Sequence, residues 1–202
     1  LRRAPAFVAI QTGDAARLLV ISNREGDRFS RELAAEILGS PLAQERLVAN
    51  AARVADEHGY RGVNIGFEYL RGEDRDAYTG LMELFAATLR PRGVWLTSAL
   101  APRGASDAAG CAAYVSGAPG APTGFVVGIT HERDTATRPP NPSGPCGKPP
   151  PIAPLDRMRD AMNDVLSETP AEKVLMGMPL HGCDLIAPGA AGQQDGRARR
   201  YE

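Results

Sequence analysis

Along residues 61–70, RGVNIGFEYL, apolar Val63, Ile65 and Phe67 alternate with Asn64, Gly66 and Glu68. A period of two sends successive side chains to opposite faces, so this stretch predicts a strand over Gly62–Glu68 with Glu68 at its carboxyl end. The uncharged run LLVIS predicts an earlier strand over Leu18–Ser22. Between them the spacing turns helical. A short helix fits Arg31–Leu38, and a longer one has Ser40 as N-cap, Pro41 at its first position and Gly59 just past its end. Leu47, Val48, Ala51, Val54 and Ala55 recur three and four residues apart, which gives that helix one apolar face. Ahead of the first strand, Ala6–Ala16 reads as the tail of a helix. A strand at Phe7–Ile10 would leave too few residues for a parallel crossover.

Beyond residue 70 the same alternation of periods continues. Asp74–Leu89 is predicted helical, with Tyr78, Leu81, Met82, Phe85 and Leu89 on one side and Pro91 and Gly93 ending it. Val94–Leu100 and Phe125–Thr130 read as strands, Leu155–Leu166 as a helix and Lys173–Met178 as a last strand. Strands alternating with helices imply a parallel sheet covered by helices. An open doubly wound sheet and a (β/α)8 barrel both satisfy that order. No GxGxxG or GxxxxGK run follows any strand, which weakens the nucleotide-binding versions of the open sheet. Polar or titratable residues instead gather at carboxyl ends of strands, at Asn23, Glu68, His131 and His181. Barrel enzymes build their sites there, although a barrel typically takes about 250 residues.

Composition narrows the function classes. The 202 residues are 43% hydrophobic and 23% charged, ordinary for a globular chain, and the net charge of −1 gives no bulk attraction to nucleic acid or anionic membrane. No apolar run approaches the roughly 20 residues needed to span a bilayer, so no membrane insertion is expected. Cys111, Cys146 and Cys183 stand far apart without a CxxC pair, which argues against a zinc site and a disulfide framework. Glycine and proline are concentrated in 101–124 and 139–154, which predicts long loops. The chain begins with Leu rather than Met, consistent with a piece of something longer.

GYRGVNIGFEYL resembles the strand-four signature of the family 18 glycoside hydrolases, the chitinase-like barrels, whose motif is DxxDxDxE. Aligned on its last residue, Glu68 falls on the catalytic acid, Gly66 on the third aspartate, Asn64 on the second and Arg61 on the first. The segments LLVISN, FVVGITHE, IAPLDRMRDAM and KVLMGMPLHGCD are similar, in order and spacing, to the YaaH-like spore-germination branch, which acts on N-acetylglucosamine bonds of cortex peptidoglycan. The resemblance runs from about Ala15 to Asp184. It implies a TIM-barrel type of fold represented only by strands three to seven, hence an incomplete ring. Residues 1–202 would then be a partial catalytic domain, either a fragment or a domain that recruits the rest from elsewhere. Unpaired edges on such a sheet invite self-association.

The resemblance also implies a chemistry. Family 18 enzymes use the substrate's own N-acetyl oxygen as nucleophile while one glutamate protonates the leaving oxygen. An aspartate two residues before that glutamate orients the acetamide. Here Gly66 removes it, and His131 stands where the family has a tyrosine that donates to the acetamide carbonyl. The implied site is Glu68 as acid, with Asn64, His131 and His181 as substrate-binding candidates and no metal or cofactor. The implied partner is an N-acetylglucosamine-containing polysaccharide, peptidoglycan or chitin, at the cell envelope or spore. With two acetamide-handling positions changed, the alternatives are a silent sugar-binding module and a vestigial fragment. Asn23 is a candidate to face the cleft, Glu132 and Asp184 lie on loops near the mouth, and Trp95 is read as a core residue in mid-strand.

Overall fold

A computed structural model of the chain describes residues 15–26, 28–100, 124–130, 153–178, 182–184 and 199–201. Its centre is a sheet of five parallel strands. β1 (Leu18–Ser22), β4 (Gly62–Gly66), β5 (Trp95–Leu100), β6 (Phe125–Ile129) and β7 (Val174–Gly177) lie in that order. Two-residue strands β2 (Arg24–Glu25) and β3 (Arg28–Phe29) pair as a small hairpin after β1, and β8 (Gly182–Asp184) pairs antiparallel with β9 (Arg199–Tyr201). The sheet is a partial (β/α) TIM-barrel type: its strands run in barrel order, and it does not close.

The helices form where the sequence punctuates them. α1 (Arg31–Leu38) starts on Ser30, whose Oγ accepts the Leu33 N–H at 3.1 Å. α2 (Pro41–His58) starts on Ser40, whose Oγ accepts the Ala43 N–H at 3.3 Å. It stops at Gly59, where φ of +64° is a left-handed conformation that glycine adopts without a Cβ penalty. α3 (Arg75–Leu89) and α4 (Leu155–Glu168) follow β4 and precede β7. Ala15 and Ala16 are not helical, so the helix read at Ala6–Ala16 does not reach β1; the rest of that stretch lies outside the described residues.

The core sits between the sheet and α1–α3. Val63, Ile65 and Phe67 from one face of the β4 segment pack with Val48, Ala51, Leu81, Phe85 and Leu89. Burying such side chains stabilises by about 1.5–3 kcal/mol each, and that anchors β4 at the middle of the molecule. On the same face Tyr78 of α3 is fully buried, its hydroxyl 3.1 Å from Ser98 Oγ of β5. Burial pushes the Tyr78 phenol up to about 12, against a smaller lowering from the Ser98 hydrogen bond.

The other face of the sheet, which a closed barrel would turn inward, is laid out in rows by the register. Val20, Asn64, Thr97 and Phe125 form one row; Ser22, Gly66, Ala99, Val127 and Leu175 form the next. Toward the edges this face is open, with Val20 63% and Leu175 43% exposed. Trp95 begins β5 instead of sitting in mid-strand and is 42% exposed, so it is not a core residue. It rests edge-on to Phe125 (6.0 Å between ring centroids) and under the Arg61 guanidinium (5.6 Å). The shift follows from Gly93, whose left-handed backbone delays the strand by a residue.

Candidate active site

Strand β4 ends at Gly66, two residues before Glu68, which therefore stands on the chain just past the strand. The alternation continues beyond the ladder: Phe67 is buried in the helix-side core, and Glu68, itself 9% exposed, follows Asn64 and Gly66. Glu68 is thus at the carboxyl end of the central strands, where barrel sites are built.

Its backbone is held from β1. The Asn23 side chain is fully buried; its Nδ2 donates to Glu68 O at 2.9 Å, and its Oδ1 accepts the Glu68 N–H at 2.9 Å. One side-chain amide thereby does for Glu68 what two backbone groups do within a ladder, from one residue past Ser22 to two residues past its partner Gly66. The same Nδ2 also donates to Ser30 O at 2.9 Å, and Ser30 N–H donates to Asn23 O at 2.8 Å, which closes the β2–β3 hairpin back onto the end of β1. Asn23 therefore does not face the cleft: its amide is consumed by backbone partners. Sequence position alone could not show this, because the partner is 45 residues away.

Downstream of Glu68 the chain turns sharply. Tyr69 has φ of +60°, rare for a residue with a Cβ, and it stays half exposed with its ring edge-on to Phe29 (6.5 Å). Arg31 at the start of α1 reaches Glu73 Oε1 at 2.6 Å, and Asp74 accepts the Arg71 N–H at 2.8 Å. Hairpin, turn and α1 are thus tied together around Glu68.

Asn64 is 9% exposed and its Oδ1 accepts a hydrogen bond from Thr97 Oγ1 at 2.8 Å. It joins β4 to β5 on the inner face, one row behind Gly66. The two glycines of β4 differ. A Cβ at Gly62 would come within 2.7 Å of Leu18 Cδ2 and 3.0 Å of Trp95 Cβ, so close strand approach requires glycine there. A Cβ at Gly66 would meet only Ala99 Cβ at 3.8 Å and Ile21 O at 3.9 Å, ordinary contact distances. Gly66 has no φ that excludes a side chain and no packing reason to lack one. Its row carries no charged side chain.

The end of β6 is fixed by Thr130, whose Oγ1 donates to Gly177 O of β7 at 2.6 Å. His131, the next residue, lies outside the described residues, as do His181 and Glu132; the side chains of Cys183 and Asp184 are likewise not described. Asn64 and Gly66 share one face of β4, Glu68 follows two residues past its end, and both histidines lie outside the described residues. A groove of about 540 Å³ between α2 and α3, lined by Val48, Ala52 and Leu84 and rimmed by Arg53, Asp56 and Arg92, is on the helix side and contains none of the candidates. Among the described residues no group of three or more His, Cys, Asp or Glu side chains could hold a metal ion. No helix among them is long and apolar enough to cross a membrane.

No protein-family model matches the chain. Among curated proteins it is 31% identical over 183 residues to the cortical fragment-lytic enzyme of Bacillus subtilis (strain 168), covering 90% of this chain and 40% of that protein. It is 28% identical over 171 residues to the putative sporulation-specific glycosylase YdhD of the same organism, covering 85% of this chain and 39% of that one. The chain spans about 40% of the length of these relatives. Of solved structures, the spore cortex-lytic enzyme SleL of Bacillus megaterium QM B1551 superimposes with a TM-score of 0.72 at 28% identity, over 92% of this chain and 41% of that one. A chitinase from Chromobacterium violaceum ATCC 12472 shares the fold, with a TM-score of 0.63 at 23% identity, over 81% of this chain and 49% of that one. By sequence and by fold, the chain is a homologue of the spore cortex-lytic enzymes and YdhD-type glycosylases, and it fits the chitinase-like, YaaH-type branch of the family 18 glycoside hydrolases.

Proposed function

We propose that residues 1–202 are part of a glycoside hydrolase domain that acts on, or recognises, β-1,4-linked N-acetylglucosamine polymers, peptidoglycan or chitin, with Glu68 as the acid. The observation that carries the reading is the seat of Glu68: just past the central strand, largely buried, and clamped through its backbone, in a chain related to cortex-lytic glycosylases. A general acid must meet the leaving oxygen at hydrogen-bond distance, so a backbone held on both sides of the Glu68 Cα is the support such a role needs. The substrate would supply its own nucleophile. Its acetamide oxygen attacks the anomeric carbon, Glu68 gives its proton to the departing sugar oxygen, and the resulting carboxylate then takes a proton from the water that opens the cyclic intermediate. His131 and His181 would contact the sugar from the ends of β6 and β7.

Gly66 weakens this sequence of steps. Without a carboxylate beside Glu68, neither the acetamide N–H nor the positive charge that develops on the cyclic intermediate has an anionic partner from β4. Hydrolysis is therefore slow, and the second reading, a sugar-binding module without turnover, rests on that same glycine. The open inner face favours association with further strands or with a second copy of the chain. Release of a fluorophore from an N-acetylglucosamine oligomer glycoside, measured beside direct binding of the unlabelled oligomer, separates the two. Binding without release supports the module; release abolished by Glu68→Gln supports the hydrolase. Neither binding nor release overturns both.

A further inference from the structure

We infer that Asn23 is a positioning residue for Glu68: its side-chain amide sets where the acid's carboxyl group stands, and does so from a different strand. This rests on Glu68 being the acid. Three geometric facts point the same way. The amide bonds Glu68 reciprocally, Glu68 N–H to Oδ1 and Nδ2 to Glu68 O, both at 2.9 Å, so the two peptide groups flanking the Cα that carries the Glu68 side chain are both held. Asn23 is fully buried, and a third bond, to Ser30 O at 2.9 Å, fixes its own amide plane. Finally, the register of β1 with β4 ends at Ser22 and Gly66, so the Asn23 side chain extends the link between the two strands as far as Glu68.

The need for such a clamp follows from what comes next. Tyr69 departs into a left-handed conformation directly after Glu68, which a residue with a Cβ adopts only when its surroundings impose it. The β1–β4 register ends two residues before Glu68, and the chain turns hard directly after it. An asparagine is suited to this point because its amide offers one donor edge and one acceptor edge in a single plane, as a peptide does. Aspartate would keep the acceptor for Glu68 N–H but lose both donated bonds. Alanine would lose all three.

The test compares Asn23→Ala and Asn23→Asp in the Gly66→Asp protein, where turnover is expected to be measurable. For Asn23→Ala, kcat should fall tenfold to a hundredfold, as expected for a reacting group displaced by a fraction of an ångström to an ångström. KM should stay within about twofold, because the sugar-binding groups are elsewhere. The pH at which turnover is maximal should also move, and amide exchange at Glu68 should quicken while that of Ile65, inside β4, does not. Asn23→Asp should lie between parent and Asn23→Ala, and it decides the matter if Asn23→Ala does not fold. If turnover drops only in step with the folded fraction, with the pH maximum unmoved, Glu68 remains the acid and the positioning role of Asn23 is wrong. If no background turns over, the acid assignment itself fails and this inference with it.

Discussion

Replacing Gly66 by aspartate probes the reading at its most exposed point. The structure gives the substitution room: the new Cβ would sit 3.8 Å from Ala99 Cβ and 3.9 Å from Ile21 O, with no backbone strain. Gly66→Ala is the control, and it should stabilise slightly, by about 0.5–1 kcal/mol, because the unfolded chain loses freedom that glycine had. In a chain of this length that corresponds to a rise in Tm of about 2 °C. The aspartate adds a charge to a half-buried row otherwise made of Ser22, Ala99, Val127 and Leu175. Ser22, its register partner, carries the one hydroxyl in that row, so Gly66→Asp should melt several degrees below Gly66→Ala. In exchange, the carboxylate emerges beside Glu68 on the same face. Removing one preorganised electrostatic group commonly costs a hundredfold to a thousandfold in rate. Restoring one of two altered groups should therefore raise fluorophore release by at least about tenfold, with His131 still limiting. Release from an N-acetylglucosamine oligomer glycoside, normalised to folded protein, is the assay. A Gly66→Asp protein that folds as well as Gly66→Ala and releases no more fluorophore than the parent would refute the idea that this position is where the site was damaged.

Further outcomes are expected from the same structure. Glu68→Gln in the Gly66→Asp protein should abolish the gain in turnover while the unfolding midpoint barely moves, because the clamp uses the Glu68 backbone; retained turnover would remove Glu68 from the chemistry. The Tyr78 phenol, held up to about 12 in the folded state against 10 when unfolded, contributes stability that is complete below pH 10. Between pH 10 and 12 the unfolded chain loses that proton first, so stability should fall by about 1.4 kcal/mol per pH unit, and Tyr78→Phe should flatten the slope in alkaline denaturant titrations. With β1 and β7 paired on one side only among the described residues, and Val20 and Leu175 exposed on the inner face, residues 1–202 should associate as concentration rises. A monodisperse monomer in sedimentation velocity, with a single high-temperature cooperative transition, would contradict that.

The parts of this fold that sequence exposes are those governed by local rules. Ser40, Pro41 and Gly59 mark both ends of α2, and the apolar stripe of Tyr78, Leu81, Met82, Phe85 and Leu89 marks the buried side of α3. The strand at Leu18–Ser22 is equally visible, because an uncharged run of five with β-branched Val20 and Ile21 inside it has few other uses. The alternation in β4 has a less obvious meaning. It does not separate buried from exposed, since all five residues of β4 are buried; it separates an apolar face against helices from a polar face toward the ring. Strands of two residues, as in the β2–β3 hairpin, are too short to carry any period. Trp95 is misread as core because the hydrophobic pattern cannot tell the first residue of a strand from its middle. Glu68 is singled out, and proposed as the acid, through the resemblance of the surrounding motif. Asn23 is not, since one asparagine after a strand says nothing of which peptide it will grip.

The grip of Asn23 on Glu68 also bears on the order in which the molecule assembles. The two residues are 45 positions apart, and α1 and α2 both lie between them. Neither capped helix, however early it forms, brings the clamp together; β1 and β4 must first dock side by side, a closure whose entropic cost precedes its reward. A chain that has its helices and its collapsed core but not this one strand pairing would look largely folded by circular dichroism and yet hold Glu68, the proposed acid, loosely. In refolding experiments, competence to act on substrate should therefore lag behind helix formation, with the Glu68 amide among the last on this side of the sheet to gain protection from exchange.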